Sequence, residues 1–161
     1  MISPQVHAFL NQMLSTGTVE FPPAIAEPFA SGFEPHFQAC HITAAKAEAE
    51  KGYPAVAGVA FLNLNGKLYP WPHFVNMRAS GELVDFSPRP DQAMLGFIRI
   101  AFHQRPMMQP IIDQYNALHA NAGAPVWNDQ LADGLGAQHM PMLLNAYNAN
   151  QLSLLNAKGP A

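Results

Sequence analysis

The chain reads as an α+β domain, an antiparallel sheet of three to five strands with helices packed mainly on one face. Three observations predict this. Between Val56 and Ser87 short apolar stretches alternate with turn signals, Asn65-Gly66 and Ser80-Gly81, as in a hairpin meander. Flanking stretches carry apolar residues at helical spacing. About half of the 161 residues are hydrophobic and only 12% are charged, a balance that favours a compact core over a disordered chain. A chain of this length forms one domain, with a core unit at about 36–88 and a helical C-terminal part at about 91–157.

Taken in order, Val6, Phe9, Leu10, Met13 and Leu14 follow a Ser3-Pro4 start and predict an amphipathic helix over 4–14. From Gly17 to Pro35 prolines and glycines recur, so this is mostly loop with a short turn at 24–30, long enough to serve as a wall or lid of a site. Residues 36–51 are alanine-rich and helical, with Lys46 and Glu50 at i, i+4 on the outer face and Gly52 as the stop. Val56 to Leu64 is an apolar strand that turns at Asn65-Gly66. Lys67 to Trp71 returns antiparallel, Pro72 interrupts it, and His73 to Met77 resumes as a strand. After Ser80-Gly81, residues 82–87 form the next strand, stopped by Pro88 and Pro90. Gln92 to His103 has the apolar content of a buried helix, with a strand as the alternative. Helices follow at 110–120, where Ile111, Ile112, Tyr115 and Leu118 share a face, and at 141–157. Lys158 to Ala161 is a frayed tail.

Composition narrows the function. Eight basic residues against eleven acidic ones give a net charge of −3, and the basic residues form no stripe to neutralise phosphates, so nucleic acid is not an expected partner. No apolar run approaches the ~20 residues of a membrane helix. The start, Met1 to His7, lacks a basic segment followed by an apolar one, which points to a cytoplasmic protein or one exported without a cleaved signal. One cysteine allows no internal disulfide and no multi-cysteine zinc site.

That cysteine, Cys40, stands near the start of the second helix, where the dipole and free backbone N–H groups favour a thiolate. A histidine, His73, and an aspartate, Asp85, follow on the meander. This is the order and setting of a nucleophile, its base and an orienting carboxylate. Side chains on one strand face recur every second residue, so register decides whether the last two meet. If Asn76 pairs with Glu82, His73 lies opposite Asp85. If Arg78 pairs with Glu82, Asp85 faces Val75, one diagonal from His73 and within contact. A two-residue turn at Ser80-Gly81 puts the carboxylate on the wrong face. The triad therefore requires an odd-numbered loop. Each member also has an ordinary role: a small buried cysteine, a satisfied histidine at a strand start, an aspartate capping the Ser87-Pro88 turn.

The run Cys40-His41, Ala55-Val56-Ala57-Gly58, Pro72-His73-Phe74-Val75 and Gly81-Glu82-Leu83-Val84-Asp85-Phe86-Ser87-Pro88 resembles the transglutaminase-like branch of the papain-type cysteine fold. It covers about a third of the chain, with loose motifs, and Ser87 stands where the family has threonine. The tryptophan that many members place beside the cysteine is absent; Phe37 and Gln38 occupy the neighbouring positions. The resemblance implies a papain/transglutaminase-like fold, with Cys40 as nucleophile, His73 as base and Asp85 as orienter.

The expected activity is acyl chemistry through a thioester at Cys40: hydrolysis, deamidation or transfer on a peptide, protein or small amide or ester. This mechanism requires no cofactor and no metal. One rival is a non-catalytic binding or immunity-type protein with Cys40 inert. Another is a metal site of His36, Cys40 and His41 completed by His73 or Asp85, for which no His-x-Glu or Glu-x-x-His motif supplies a base. Tyr69-Pro70-Trp71-Pro72 reads as a substrate wall or, more ordinarily, as packing; Met107-Met108 reads as an adaptable surface or core filling.

Overall fold

The computed structural model describes residues 4–35, 40–87, 94–109 and 129–158. Helix α1 spans Pro4–Thr16 and α2 Cys40–Lys51. Strand β1 is Ala55–Leu64, β2 Lys67–Met77, β3 Leu83–Val84 and β4 Met94–Arg99. A 3-10 turn at Phe102–Gln104 follows, and the long helix α3 is Asp129–Lys158. The four strands form one antiparallel sheet in the order β3-β2-β1-β4. The expected α+β class therefore holds, with helices packed against the sheet.

The β1–β2 hairpin turns where expected, at Asn65 (φ 56°) and Gly66 (φ 82°), a pair of left-handed residues that matches strand twist. Contrary to the expectation of a break at Pro72, β2 runs unbroken through both Pro70 and Pro72. In a two-residue hairpin closed by Leu64 and Lys67, the odd-numbered residues of β2 bond to β1, and Met77 N–H indeed reaches Pro54 O at 2.9 Å. The even-numbered N–H groups point outward, where β3 pairs only Asn76 and Met77. Proline at 70 and 72 thus gives up donors that the ladder does not use.

The second correction falls on Gln92 to His103, read as a helix: its described part is β4 and the 3-10 turn. Leu95, Gly96, Phe97 and Ile98 are all buried, because β4 is covered on both sides. A strand buried on both faces loses the period-two alternation and reads like a short buried helix. The third concerns the last helix, which begins at Asp129 rather than Pro141 and carries Pro141 in its interior. Leu135, His139 and Leu143 continue one buried face across the exposed proline. The predicted helix at 110–120 lies outside the described residues.

Three apolar clusters hold the fold. On one face of the sheet Val59, Phe61, Leu68, Leu95 and Ile98 pack against Val6, Leu10, Met13 and Leu14 of α1 and Leu135 and Leu143 of α3. The other face carries Ala60, Leu62, Tyr69, Trp71, Val75, Leu83 and Phe97. At the β3 end, Ala47 of α2 joins Val84, Phe86 and Phe29. The alanines of α2 let it approach closely. Asn76 then fastens the helix, donating from one Nδ2 to Ala44 O (2.9 Å) and Tyr53 O (3.0 Å). Gly52, with φ 74°, ends α2.

The 17–35 segment is tied down as a wall. Glu20 bridges to Phe97 of β4, and Pro23 O and Ile25 N–H bond Asp85 N–H and O. Further along, Glu27 meets Arg78 (2.9 Å) and Lys51 (3.6 Å), and Glu50 accepts from Ser31 N–H and Oγ–H.

Candidate functional site

The site is set by strand register. Asn76 pairs with Val84 and Met77 with Leu83, so Arg78 falls opposite Glu82, with Arg78 N–H on Glu82 O at 2.9 Å. The loop is Ala79-Ser80-Gly81, an odd count, and Gly81 supplies its left-handed residue (φ 88°). Asp85 therefore faces Val75 and sits one diagonal from His73, the second of the two registers that allow contact. His73 Nε2–H donates to Asp85 Oδ2 at 2.7 Å. Asp85 Oδ1 accepts from Ser87 N–H at 3.0 Å. The aspartate thus orients the histidine and caps the Ser87 turn at once, since a carboxylate has two oxygens to give.

Cys40 opens α2 and is 8% exposed; His73 is 2% exposed and Asp85 0%. Burial pushes the His73 ring toward its neutral form, as it must for any cation taken from water. The Asp85 carboxylate and then Cys40 push the other way and raise the ring from 6.5 to about 9. With Nε2 given to Asp85, Nδ1 is the nitrogen left for the thiol; among the described residues it has no hydrogen-bond partner of ordinary geometry. The structure thus brings together all three residues singled out from the sequence.

The surroundings are apolar. The Trp71 ring lies 5.9 Å from the His73 ring and Phe97 6.3 Å, edge to face. Phe97 fits there because Gly58, the cross-strand partner of His73, has no side chain: a Cβ at Gly58 would collide with Ile98 O and the Phe97 ring. Tyr69 and Trp71 are buried packing rather than an open wall, and Met108 is buried while Met107 is partly exposed. Beyond Asp85 a pocket of about 720 Å³ opens between the wall and the sheet, with Ile25, Phe29, Phe33, Phe86 and Ser87 among its lining.

Asn76, Thr43 and Phe97 have no place in the triad that the sequence suggests. Asn76, 1% exposed in an otherwise apolar strand, carried a readable signal, because a buried amide needs partners. Phe97 carried none. Phe37, Gln38 and the suggested ligand His36 lie outside the described residues. Among the described residues no three His, Cys, Asp or Glu side chains gather in a metal-holding arrangement, and no helix is long and apolar enough to cross a membrane. Comparison with protein families, curated proteins and solved structures gave no match to this chain.

Proposed function

We propose that the protein performs cysteine-dependent acyl chemistry, on the papain/transglutaminase-like plan that the motifs resemble. The observation that carries this reading is the 2.7 Å bond from a buried His73 to a buried Asp85, with the free side of that ring turned to the one cysteine at a helix start. A histidine held as a cation by a carboxylate stabilises a thiolate beside it.

In this scheme the Cys40 thiolate attacks the carbonyl carbon of an amide or ester. Backbone N–H groups at the start of α2 stabilise the oxyanion. The tetrahedral intermediate expels the amine or alcohol, which takes the proton from His73, and a thioester remains. Water or a second nucleophile then gives its proton to His73 and attacks the thioester, releasing the thiolate. Asp85 keeps the ring oriented and stabilises its cationic form throughout. The reaction is hydrolysis, deamidation or transfer according to the acceptor.

The test is alkylation of native protein by iodoacetamide across pH, with intact mass after exposure to p-nitrophenyl acetate. The reading expects fast alkylation at neutral pH and one acetyl group on Cys40 that turns over. Labelling only after denaturation refutes it. That outcome would favour an inert binding module, a reading with one observation of its own, the near-complete burial of the thiol.

A further inference from the structure

Thr43 lies one turn beyond Cys40 on the buried face of α2, with Ala44 and Ala47 beside it. It is 1% exposed, and among the described residues its Oγ1 has no hydrogen-bond partner. Threonines in helices ordinarily satisfy the hydroxyl on a carbonyl of the preceding turn. A buried hydroxyl left unpaired works against the fold, so valine, of the same shape, would serve packing better.

Geometry gives this hydroxyl a destination. Helical side chains lean back over the turn that precedes them, and residues three apart have Cβ atoms about 5–6 Å apart. The C–O and C–S bonds can close that gap to hydrogen-bond range, and threonine has two χ1 rotamers open to it in a helix. A second orphaned buried polar atom, His73 Nδ1, belongs to the residue that acts on the same sulfur. Of three such buried atoms among the described residues, one thus belongs to Thr43, one turn from the thiol, one to His73, which acts on it, and the third to Arg78. The first two are at odds with plain packing and fit a site whose partner is a charge that comes and goes.

We propose, resting on the reading of Cys40 as nucleophile, that Thr43 is a positioning residue: its hydroxyl swings to donate to the Cys40 sulfur once that sulfur is negative. The donor holds the sulfur in one rotamer and shares the anion with the histidine. It releases the sulfur when the thioester forms and the charge leaves.

Thr43→Val, Thr43→Ala and Thr43→Ser test this. The rate of iodoacetamide alkylation of native protein is followed from about pH 5 to 9, beside urea denaturation of each variant. The valine and alanine variants are expected to lose about tenfold in alkylation rate near pH 6, with the profile shifted to higher pH. The serine variant should stay within about twofold of the parent. The alanine variant decides the matter if valine does not fold. A parent protein that alkylates readily, with valine or alanine variants showing the same profile, overturns the role of Thr43 and leaves the nucleophile standing. A parent protein that labels only when unfolded overturns both.

Discussion

Replacing Asp85 with asparagine removes the charge that holds His73 while keeping nearly the same shape. The carboxylate accepts from His73 Nε2–H at 2.7 Å and from Ser87 N–H at 3.0 Å. An amide has one oxygen. If that oxygen stays with His73, the NH2 group meets Ser87 N–H; if it turns to Ser87, the NH2 group meets Nε2 and drives the ring proton to Nδ1, the side of the thiol. Either way the change disturbs one buried bond, at about 1–3 kcal/mol. The lost charge adds a pH-dependent part. His73 is raised from 6.5 to about 9, so it stabilises the fold fully below about pH 6.5, and that contribution fades as pH rises through about 9. At about 1.4 kcal/mol per unit it amounts to about 3 kcal/mol at most. The variant should therefore be less stable than the parent by about 4–6 kcal/mol near pH 6 and by only about 1–3 kcal/mol near pH 9.5. Urea denaturation followed by circular dichroism at the two pH values reads both numbers. A destabilisation equal at the two pH values, or below about 1 kcal/mol at pH 6, would refute the view that the carboxylate holds a charged ring.

Three further perturbations separate the fold from the chemistry. Cys40→Ala suits a helix already rich in alanine, so it should shift stability by less than about 1.5 kcal/mol and abolish acylation; turnover retained in that variant counts against the proposed nucleophile. Gly58→Ala drives a Cβ into Ile98 O and the Phe97 ring and should cost about 1–3 kcal/mol, as overpacking does. A neutral or stabilised result in urea denaturation would show that β4 yields there. Asn76→Ala removes the bonds to Ala44 O and Tyr53 O. It should cost about 1–3 kcal/mol and slow the alkylation of Cys40, since α2 is then less firmly seated; a parent-like rate with lost stability would show that the thiol is placed by other contacts.

What could be read in advance follows from how local the physics is. The Asn65-Gly66 turn, the stop at Gly52 and the face of α1 depend on a few neighbouring residues, and each stands where the sequence puts it. The bond between His73 and Asp85 was legible as parity alone: any odd loop keeps them on one face, and the loop has three residues. Which odd register applies depends on tertiary packing, and two stayed open. β4 was hard to read for the opposite reason, because burial on both sides erases alternation. The run through Pro70 and Pro72 misled because proline breaks a ladder only where its N–H is needed, and the free side of β2 is known only once β3 is seen to be two residues long. Phe97 beside His73 needs Gly58, a pairing across two strands that no local pattern announces.

The two halves of the site lie on different elements that meet at Asn76. His73 and Asp85 are fixed to each other by the β2–β3 pairing and the carboxylate bonds, all within fifteen residues of chain. Cys40 belongs to α2, which reaches the same place by another route, through the Ala47 contacts and the Asn76 amide. The hairpin seats the helix through Asn76 and Val84, while the register of the hairpin is set by its own loop. A packing accident would have no reason to aim the free ring nitrogen of a buried, carboxylate-bound histidine at the only thiol in the chain. That placement is the observation on which the proposal of a reactive sulfur rests.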